Sequence, residues 1–227
     1  MKRQNIFKNL LLIILMFGTL TSLRAQKSSF SIQLGGLLPL GEFAEAPAYI
    51  IPTQLGTHGT ASFGASLGFK YNYIFSNYRG NPLGIGIFGA ADLQWNYINK
   101  DARAIYDEAS CTKPMYVNVP IVVGVSYTSP TFGEVVGIWG EVGIGADLFM
   151  KTTEGWKDAT IKYDMGAQFC TEVGIGVKFI DLISIGVHYY WLGNHALKVK
   201  NSDIEYDENN TPKMKIHNIA FKLGFHF

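Results

Sequence analysis

Strict alternation of apolar with small or polar residues is the feature that most constrains this chain. In the stretch ASFGASLGFKYNY, residues 61–73, every odd position is apolar or aromatic, and the even positions are serine, glycine, lysine or asparagine. A period of two predicts a β-strand with one apolar face. Thirteen such residues exceed the five or six that are typical of strands in soluble proteins. The apolar face therefore meets either a protein core or lipid.

The same alternation returns in seven further segments, which are 29–38, 83–97, 115–127, 136–149, 163–179, 182–192 and 216–227. The connectors alternate in length: 39–60, 98–114, 150–162 and 193–215 are long, and 74–82, 128–135 and 180–181 are short. An even number of strands with alternating long and short connectors is typical of outer-membrane proteins. We predict an all-β fold, an eight-stranded antiparallel up-and-down transmembrane β-barrel, with the long connectors outside the cell.

Composition favours lipid over a protein core as the partner of the apolar rows. Charged residues make up 16% of the chain, against roughly 25% in soluble domains, and no acid or base interrupts the apolar rows. Aromatic residues near the strand ends are predicted to form interfacial girdles: Tyr73, Tyr97, Tyr127, Phe149, Trp191 and Phe227. The alternative is a secreted soluble β-barrel or sandwich, with the apolar rows inside around an apolar ligand.

The N-terminus predicts export. Residues 1–25 combine a basic start with an apolar run from Leu10 to Leu20 and end in Leu-Arg-Ala, as a secretory signal peptide does. The apolar run is shorter than the roughly 20 residues that span a bilayer. We expect cleavage after Ala25, a mature barrel domain over residues 26–227, and localisation in the cell outer membrane. Because no cysteine follows the cut, we do not expect a lipoprotein anchor.

Ionisable residues on the other face of the strands are predicted to fill the lumen, because an eight-stranded barrel is just wide enough for side chains. Strand parity places these residues inside: Lys70, Asp92, Glu141, Asp147, Asp164, Glu172, Lys178, His188, Lys222 and His226. An unpaired buried charge is costly. We therefore predict a structural ion network of Lys70, Glu141, Glu172, Lys178 and Lys222.

No motif predicts catalysis, a cofactor or a metal site. Ser66, His188 and Asp147 are candidates on the lumen side, and His58 and His195 fall in long connectors, but none has the spacing of a nucleophile with its base. The five histidines are scattered, which gives no metal-ligand spacing. We expect no enzyme, no cofactor and no metal. With a net charge of +1 and no basic run, we also expect no nucleic-acid partner.

The expected partners are outer-membrane lipid, the barrel-assembly machinery during biogenesis, and a protein at the outer loops or the periplasmic turns. The last strand carries Phe221, Leu223, Phe225 and Phe227 in alternation, as substrates of that machinery do, and we interpret these residues as a C-terminal assembly signal.

The two cysteines, Cys111 in the second long connector and Cys170 on the lumen side of the sixth strand, allow two interpretations. An exported protein meets an oxidising compartment, where a disulfide forms. A bridge would require the connector to fold into the barrel mouth. The alternative is a pair of thiols.

Three segments resemble one known family. The stretches YVNVPIVVGVSY, YDMGAQFCTEVGIGVKF and ISIGVHYYWLGNHAL occur in the order found in PorT-like outer-membrane β-barrel proteins, and the segment from Gly35 to Pro39 resembles that family's strand exit. One departure is that Asn194 directly follows Gly193. The resemblance implies an outer-membrane barrel. Because one member of the family is needed for type IX protein secretion and gliding, it also allows a secretion-linked function.

Overall fold

The computed structural model describes residues 28–45, 59–76, 82–108, 110–130, 132, 135–156, 159–202 and 213–227. The predicted signal peptide, residues 1–25, lies outside these residues. Eight long strands form the barrel: β1 (Ser28–Leu40), β2 (Ala61–Ser76), β3 (Pro82–Ile98), β4 (Tyr116–Thr128), β5 (Val136–Lys151), β8 (Gly166–Phe179), β9 (Ile183–Ala196) and β11 (Lys213–His226). Three short strands, β6 (Glu154–Trp156), β7 (Ala159–Tyr163) and β10 (Val199–Ser202), form a separate sheet.

The barrel closes in simple up-and-down order. Each long strand pairs antiparallel with the next, and β11 pairs with β1, with Leu34 opposite Leu223. With 13 to 17 residues, every strand exceeds the roughly 9–11 that cross a bilayer. The predicted fold class, an eight-stranded antiparallel barrel, is confirmed. No helix among the described residues is long and apolar enough to cross a membrane.

The alternation sets which face of each strand meets the outside. Apolar side chains that are 40% or more exposed cover the barrel exterior: Leu34, Phe69, Tyr71, Ile85, Ile87, Leu93, Ile121, Val123, Val125, Val142, Ile144, Val173, Ile175, Ile185, Val187 and Phe221. Their neighbours along each strand are buried and largely polar. Water would not stabilise such an exterior, whereas lipid does. The soluble alternative is wrong, because the apolar rows lie outside and the polar rows inside.

Three residues of the predicted aromatic girdle face outward and one faces inward. Tyr73, Tyr97 and Tyr127 are exposed on the exterior. Phe149 points inward instead, where it is buried and its ring lies 6.4 Å from that of Tyr116. The reason is parity: the exterior positions of β5 have even numbers, and Phe149 has an odd one.

The two ends of the barrel differ. At the turn end, where Ser28 and Phe227 lie, the connectors are short, and β8 turns into β9 through Ile180 and Asp181, both with positive φ. At the loop end, the connectors contain helix α1 (Lys100–Glu108) and the sheet of β6, β7 and β10. These elements, which we call the loop-end cap, were predicted only as polar connectors.

Apolar side chains from the loop ends of the barrel strands and from the cap form the core. It contains Leu37, Phe43, Tyr106, Tyr116, Phe149, Leu192, Leu197, Met214 and Ile216, each 3% exposed or less. The ring of Phe43 packs edge-on against that of Tyr116, with 5.2 Å between ring centroids. This core lies above the polar lumen.

Candidate functional site

The lumen nearer the turn end is organised around two glutamates. The Lys70 ammonium on β2 forms an ion pair with Glu141 Oε2 on β5 and lies over the rings of Phe88 and Trp139. His188 Nδ1 on β9 lies 2.7 Å from Glu172 Oε1 on β8 and 3.5 Å from Glu141 Oε1. The imidazole therefore joins the two carboxylates.

Tyr190 continues this network across the barrel. Its hydroxyl lies 2.8 Å from Glu172 Oε1, 2.7 Å from Asp92 Oδ2 and 2.7 Å from Lys222 Nζ. Lys222 Nζ donates to both oxygens of Asp92 at 2.7 Å and to Gln33 Oε1 at 3.2 Å. Charge-assisted bonds of this length are the strong ones in proteins. The side chains from Lys70 to Gln33 thus form one continuous set of contacts across the lumen.

The structure brings together four of the five residues of the predicted ion network: Lys70, Glu141, Glu172 and Lys222. Lys178 does not join them, because its ammonium pairs with Asp181 at 3.1 Å in the exposed β8–β9 turn. Glu172 contacts His188 and Tyr190 directly, and the direct carboxylate partner of Lys222 is Asp92. Asp164, which was predicted to lie inside, is exposed beyond the start of β8.

A second polar layer lies between this network and the core. Asn218 Nδ2 donates to Gln94 Oε1 at 3.0 Å, and His195 Nε2 lies 3.0 Å from Asp147 Oδ2. The prediction placed His195 in a connector, but a bulge in β9 extends the strand to Ala196 and turns this imidazole inward. At the bulge, Gly193 has a φ of +93°, which glycine adopts without strain.

The loop-end cap contains a buried charged cluster of its own. Glu154 accepts hydrogen bonds from Lys151 Nζ at 2.6 Å, from Tyr163 at 2.9 Å and from the Tyr106 hydroxyl of α1. Burial raises the pKa of Glu154 to about 7, and the hydrogen bond from Tyr163 opposes that shift. The cluster holds the helix and the small sheet against the end of β5.

The structure records both cysteines as thiols and forms no bridge between them. Cys170 is fully buried in the barrel wall, opposite Gly145 of β5. Cys111 follows α1, where its N–H donates to the Tyr106 carbonyl. The connector that carries Cys111 also contains α1 of the cap, and the disulfide interpretation does not hold in this structure.

The catalytic candidates are not assembled into one arrangement. Among the described residues, Ser66 Oγ is buried without a hydrogen-bond partner. His188 contacts glutamates, and Asp147 contacts His195. His58 lies outside the described residues. Within the part of the chain that the structure describes, one group of side chains could hold a metal ion: Glu141, Glu172 and His188 each offer one ligand atom within 4.8 Å of the others.

The residues of the predicted C-terminal assembly signal lie in the closing strand. Phe221, Leu223 and Phe225 of β11 are exposed on the exterior. Phe227 forms two backbone hydrogen bonds with Phe30 of β1, at 2.7 Å and 3.1 Å. The last residue therefore contributes to barrel closure.

A small open cavity lies at the turn end. Lys70, Trp139, Glu141, Lys178 and His226 line it together with small polar residues of β1 and β4. The cavity reaches Glu141 from the turn end, whereas side chains fill the lumen beyond it.

No protein-family model matches the chain, and no curated protein sequence matches it. Solved structures similar to it include Ail of Yersinia pestis, with 13% identity, a TM-score of 0.43 and coverage of 89% of this chain and 100% of that one. Neisserial surface protein A has 10% identity, a TM-score of 0.46 and coverage of 89% and 98%. The outer membrane protein OprG from Pseudomonas aeruginosa has 13% identity, a TM-score of 0.48 and coverage of 89% and 97%.

The architecture of the chain itself determines its environment. A closed barrel satisfies the backbone hydrogen bonds of every strand, as lipid requires. The apolar exterior and the polar, filled interior are those of bacterial outer-membrane barrels. The chain is an eight-stranded β-barrel protein of the outer membrane.

Proposed function

We propose that this protein is a non-enzymatic anchor in the outer membrane, whose loop-end cap binds a protein partner at the cell surface. The observation that carries the proposal is the filled lumen. The contacts from Lys70 through Glu141, His188, Glu172 and Tyr190 to Asp92 and Lys222 cross the barrel interior. Such a lumen is suited to holding the strands together and not to passing solutes.

The cap is the better candidate for the binding surface. It contains a helix and a three-stranded sheet, whereas the turn end has only short connectors. In the cap sheet, β6 and β10 are edge strands, and such edges can accept a further strand from a partner. The cap also carries exposed side chains of both charges, such as Asp101 and Arg103 on α1 and Lys162 and Lys200 on its sheet. A protein surface with complementary charges fits this pattern better than a uniformly charged polymer.

A crosslinking experiment in intact cells tests the proposed surface. A photo-crosslinking residue in place of Lys162 should capture a discrete protein partner. The same residue in place of Asp181, in the turn at the opposite end, serves as the matched control. Capture from Asp181 alone, or from neither position, would contradict binding at the cap.

A conductance measurement tests the anchor role separately. The purified barrel in planar bilayers should give currents near zero. Steady ionic current from the parent protein would contradict the filled lumen and favour a narrow channel.

Association with type IX protein secretion is the second candidate function. Its support is the resemblance of residues 116–127, 163–179 and 183–197 to PorT-like barrels. Deleting the gene should then abolish secretion of type IX cargo while leaving the amounts of other outer-membrane barrels unchanged. Normal secretion in the deletion strain would remove this candidate and leave the anchor proposal intact.

A further inference from the structure

We propose that Glu141, Glu172 and His188 bind one divalent transition-metal cation of the Zn²⁺ class inside the barrel. One atom from each residue lies within 4.8 Å of the other two. The three side chains are almost fully buried. No sequence motif indicates this site, because its ligands come from three strands.

The register of the barrel explains the cluster. Glu141 on β5 lies opposite Gly174 on β8, and Gly174 lies opposite His188 on β9. Glu172 lies two residues before Gly174 on the same face of β8. Rigid neighbouring strands therefore present all three ligands at nearly one height in the lumen, which favours a defined coordination geometry.

An unsatisfied buried oxygen favours a further ligand at this place. Glu141 Oε1 has no hydrogen-bond partner among the described residues, although Glu141 is only 5% exposed. It lies 3.5 Å from His188 Nδ1. A buried carboxylate oxygen without a partner is costly. A cation that contacts this oxygen would remove the cost.

Gly174 provides the space beside these atoms. A Cβ at this position would lie 2.8 Å from His188 Nδ1 and 3.2 Å from Glu141 Oε1. The absence of a side chain therefore leaves room next to the two proposed ligand atoms. Zinc ligands at about 2.0–2.1 Å in a tetrahedron are about 3.3 Å apart. The 3.5 Å separation already fits. The 2.7 Å hydrogen bond between His188 Nδ1 and Glu172 Oε1 would be replaced by a bond from each atom to the cation, which requires Nδ1 to release any proton to solvent and the two atoms to move apart slightly.

Surrounding groups orient the ligands. Lys70 holds Glu141 Oε2 and leaves Oε1 open. The Tyr190 hydroxyl contacts Glu172 Oε1, and the rings of Trp139 and Tyr190 lie 5.3 Å and 6.1 Å from that of His188. The hydrogen bonds of Lys70 and Tyr190 orient the two carboxylates in the way that outer contacts orient metal ligands. Apart from its ligand atom, the imidazole of His188 is held by ring packing alone, because its Nε2 has no hydrogen-bond partner among the described residues.

The charge balance of the lumen also favours a cation. Four buried carboxyl groups, those of Asp92, Glu141, Asp147 and Glu172, face only two buried ammonium groups, those of Lys70 and Lys222. A histidine that binds a metal is neutral. With neutral imidazoles, one divalent cation would neutralise this excess. Protons on His188 and His195 are the alternative source of positive charge.

The ligand set determines the class of ion. One imidazole with two carboxylates suits zinc and its neighbours in the first transition row, whereas Mg²⁺ and Ca²⁺ prefer oxygen ligands alone. Three protein ligands leave a fourth position for water, as in open zinc sites. The turn-end cavity reaches Glu141 and provides a route of entry.

Metal titration of the full-length barrel tests the proposal. The protein is folded in detergent, freed of metal with a chelator and titrated with Zn²⁺ by calorimetry. We expect one equivalent to bind. His188→Gln removes a ligand and Gly174→Ala fills the space beside the ligand atoms, so each should weaken zinc binding at least tenfold. Each variant is first checked for heat-modifiable migration on gels, which shows that it is folded. Glu154→Gln, which changes a buried carboxylate in the cap, should bind like the parent.

A second measurement on the parent protein needs no variant. Zn²⁺ should shift the ¹⁵N resonance of His188 Nδ1. Three outcomes would overturn the proposal: less than a tenth of an equivalent bound, an unchanged His188 resonance at saturation, or equal binding by the folded parent and Gly174→Ala. If the protein fails to bind zinc and His188 is protonated, then protons on the histidines supply the positive charge that balances the lumen carboxylates.

Discussion

Replacing Asp92 by Asn should destabilise the barrel strongly. Asp92 and Lys222 have side chains that are each 2% exposed, and Lys222 Nζ contacts both carboxylate oxygens at 2.7 Å. Breaking one partner of a buried pair costs about 3–5 kcal/mol, because the other charge remains buried. Gln33 and Tyr190 still contact Lys222 in the variant, so we expect a loss of about 3 kcal/mol, at the lower end of that range.

A double-mutant cycle separates the pair from general damage to the lumen. Lys222→Met removes the buried cation, and in the double variant neither charge is left alone. The double variant should therefore be more stable than the sum of the single changes predicts, with a coupling energy of about 1–3 kcal/mol. The Leu93→Met variant is the matched control, because Leu93 follows Asp92 on the exterior face and should change stability by less than about 0.5 kcal/mol.

Urea unfolding of the barrel in lipid vesicles, monitored by tryptophan fluorescence, gives these free energies. Additive effects of Asp92→Asn and Lys222→Met would refute the argument that the two groups form a pair. A loss below about 1 kcal/mol in Asp92→Asn would show that the site is hydrated and only weakly coupled, as surface pairs are.

Three further predictions concern the cap, the last residue and the barrel wall. Because burial raises the pKa of Glu154 to about 7, its contribution to cap stability is fully present below its ordinary value of 4.5 and is lost as the pH rises through 7. Burial lowers the pKa of the neighbouring Lys151 to about 7, and its titration raises cap stability above that pH. Hydrogen-exchange protection of β6, corrected for intrinsic rates, should therefore fall between about pH 5 and pH 6.5 in the parent and show no such fall in Glu154→Gln. Deleting Phe227, or adding a charged tail after it, should lower the amount of assembled barrel on heat-modifiability gels. The deletion removes the two backbone hydrogen bonds to Phe30, and the tail strains them. Normal assembly of both variants would contradict this prediction. Gly176→Ala should lower the free energy of unfolding in urea by about 1–3 kcal/mol, because its Cβ would lie 2.2 Å from the Ile185 carbonyl oxygen. In the control Gly140→Ala, the nearest contact of the added Cβ is at 3.7 Å, and stability should not change. Equal stability of the two variants would count against this close approach of β8 and β9.

The sequence predicted the barrel because a period of two assigns a face to each residue without knowledge of its partners. Phe69 and Tyr71 are exposed and Lys70 is buried, as alternation alone requires. The strand count and the lipid-facing exterior follow from the same local pattern. These features could be predicted because each depends on neighbours along the chain.

Pairing inside the lumen could not be predicted in the same way. Lys222 and Asp92 are 130 residues apart in the chain, and only closure of the barrel brings them together. Parity showed that both face inward, but the height of each residue depends on the register of every intervening strand. For the same reason, the prediction assigned Lys178 to the network although it pairs at the turn end.

Local irregularities account for two further errors. The bulge at Gly193 reverses the parity of β9, and His195 therefore points into the lumen. The cap was missed because α1 and the short strands β6, β7 and β10 lack a long period-two pattern. Short elements of this kind depend on packing against the rest of the molecule more than on their own residues.

Alternating contact with lipid along β2 is the most direct test of the account. Cys111 and Cys170 are replaced by serine and alanine, and spin labels are placed singly at positions 69 to 72 of the barrel in lipid bilayers. Labels at Phe69 and Tyr71 should collide readily with oxygen and poorly with a polar nickel complex. Labels at Lys70 and Asn72, which line the turn-end cavity, should collide less with oxygen than their two neighbours do. Uniform access of the nickel complex along these positions, or the strongest oxygen contact at Lys70 and Asn72 in place of Phe69 and Tyr71, would contradict a lipid-facing apolar exterior around a polar lumen.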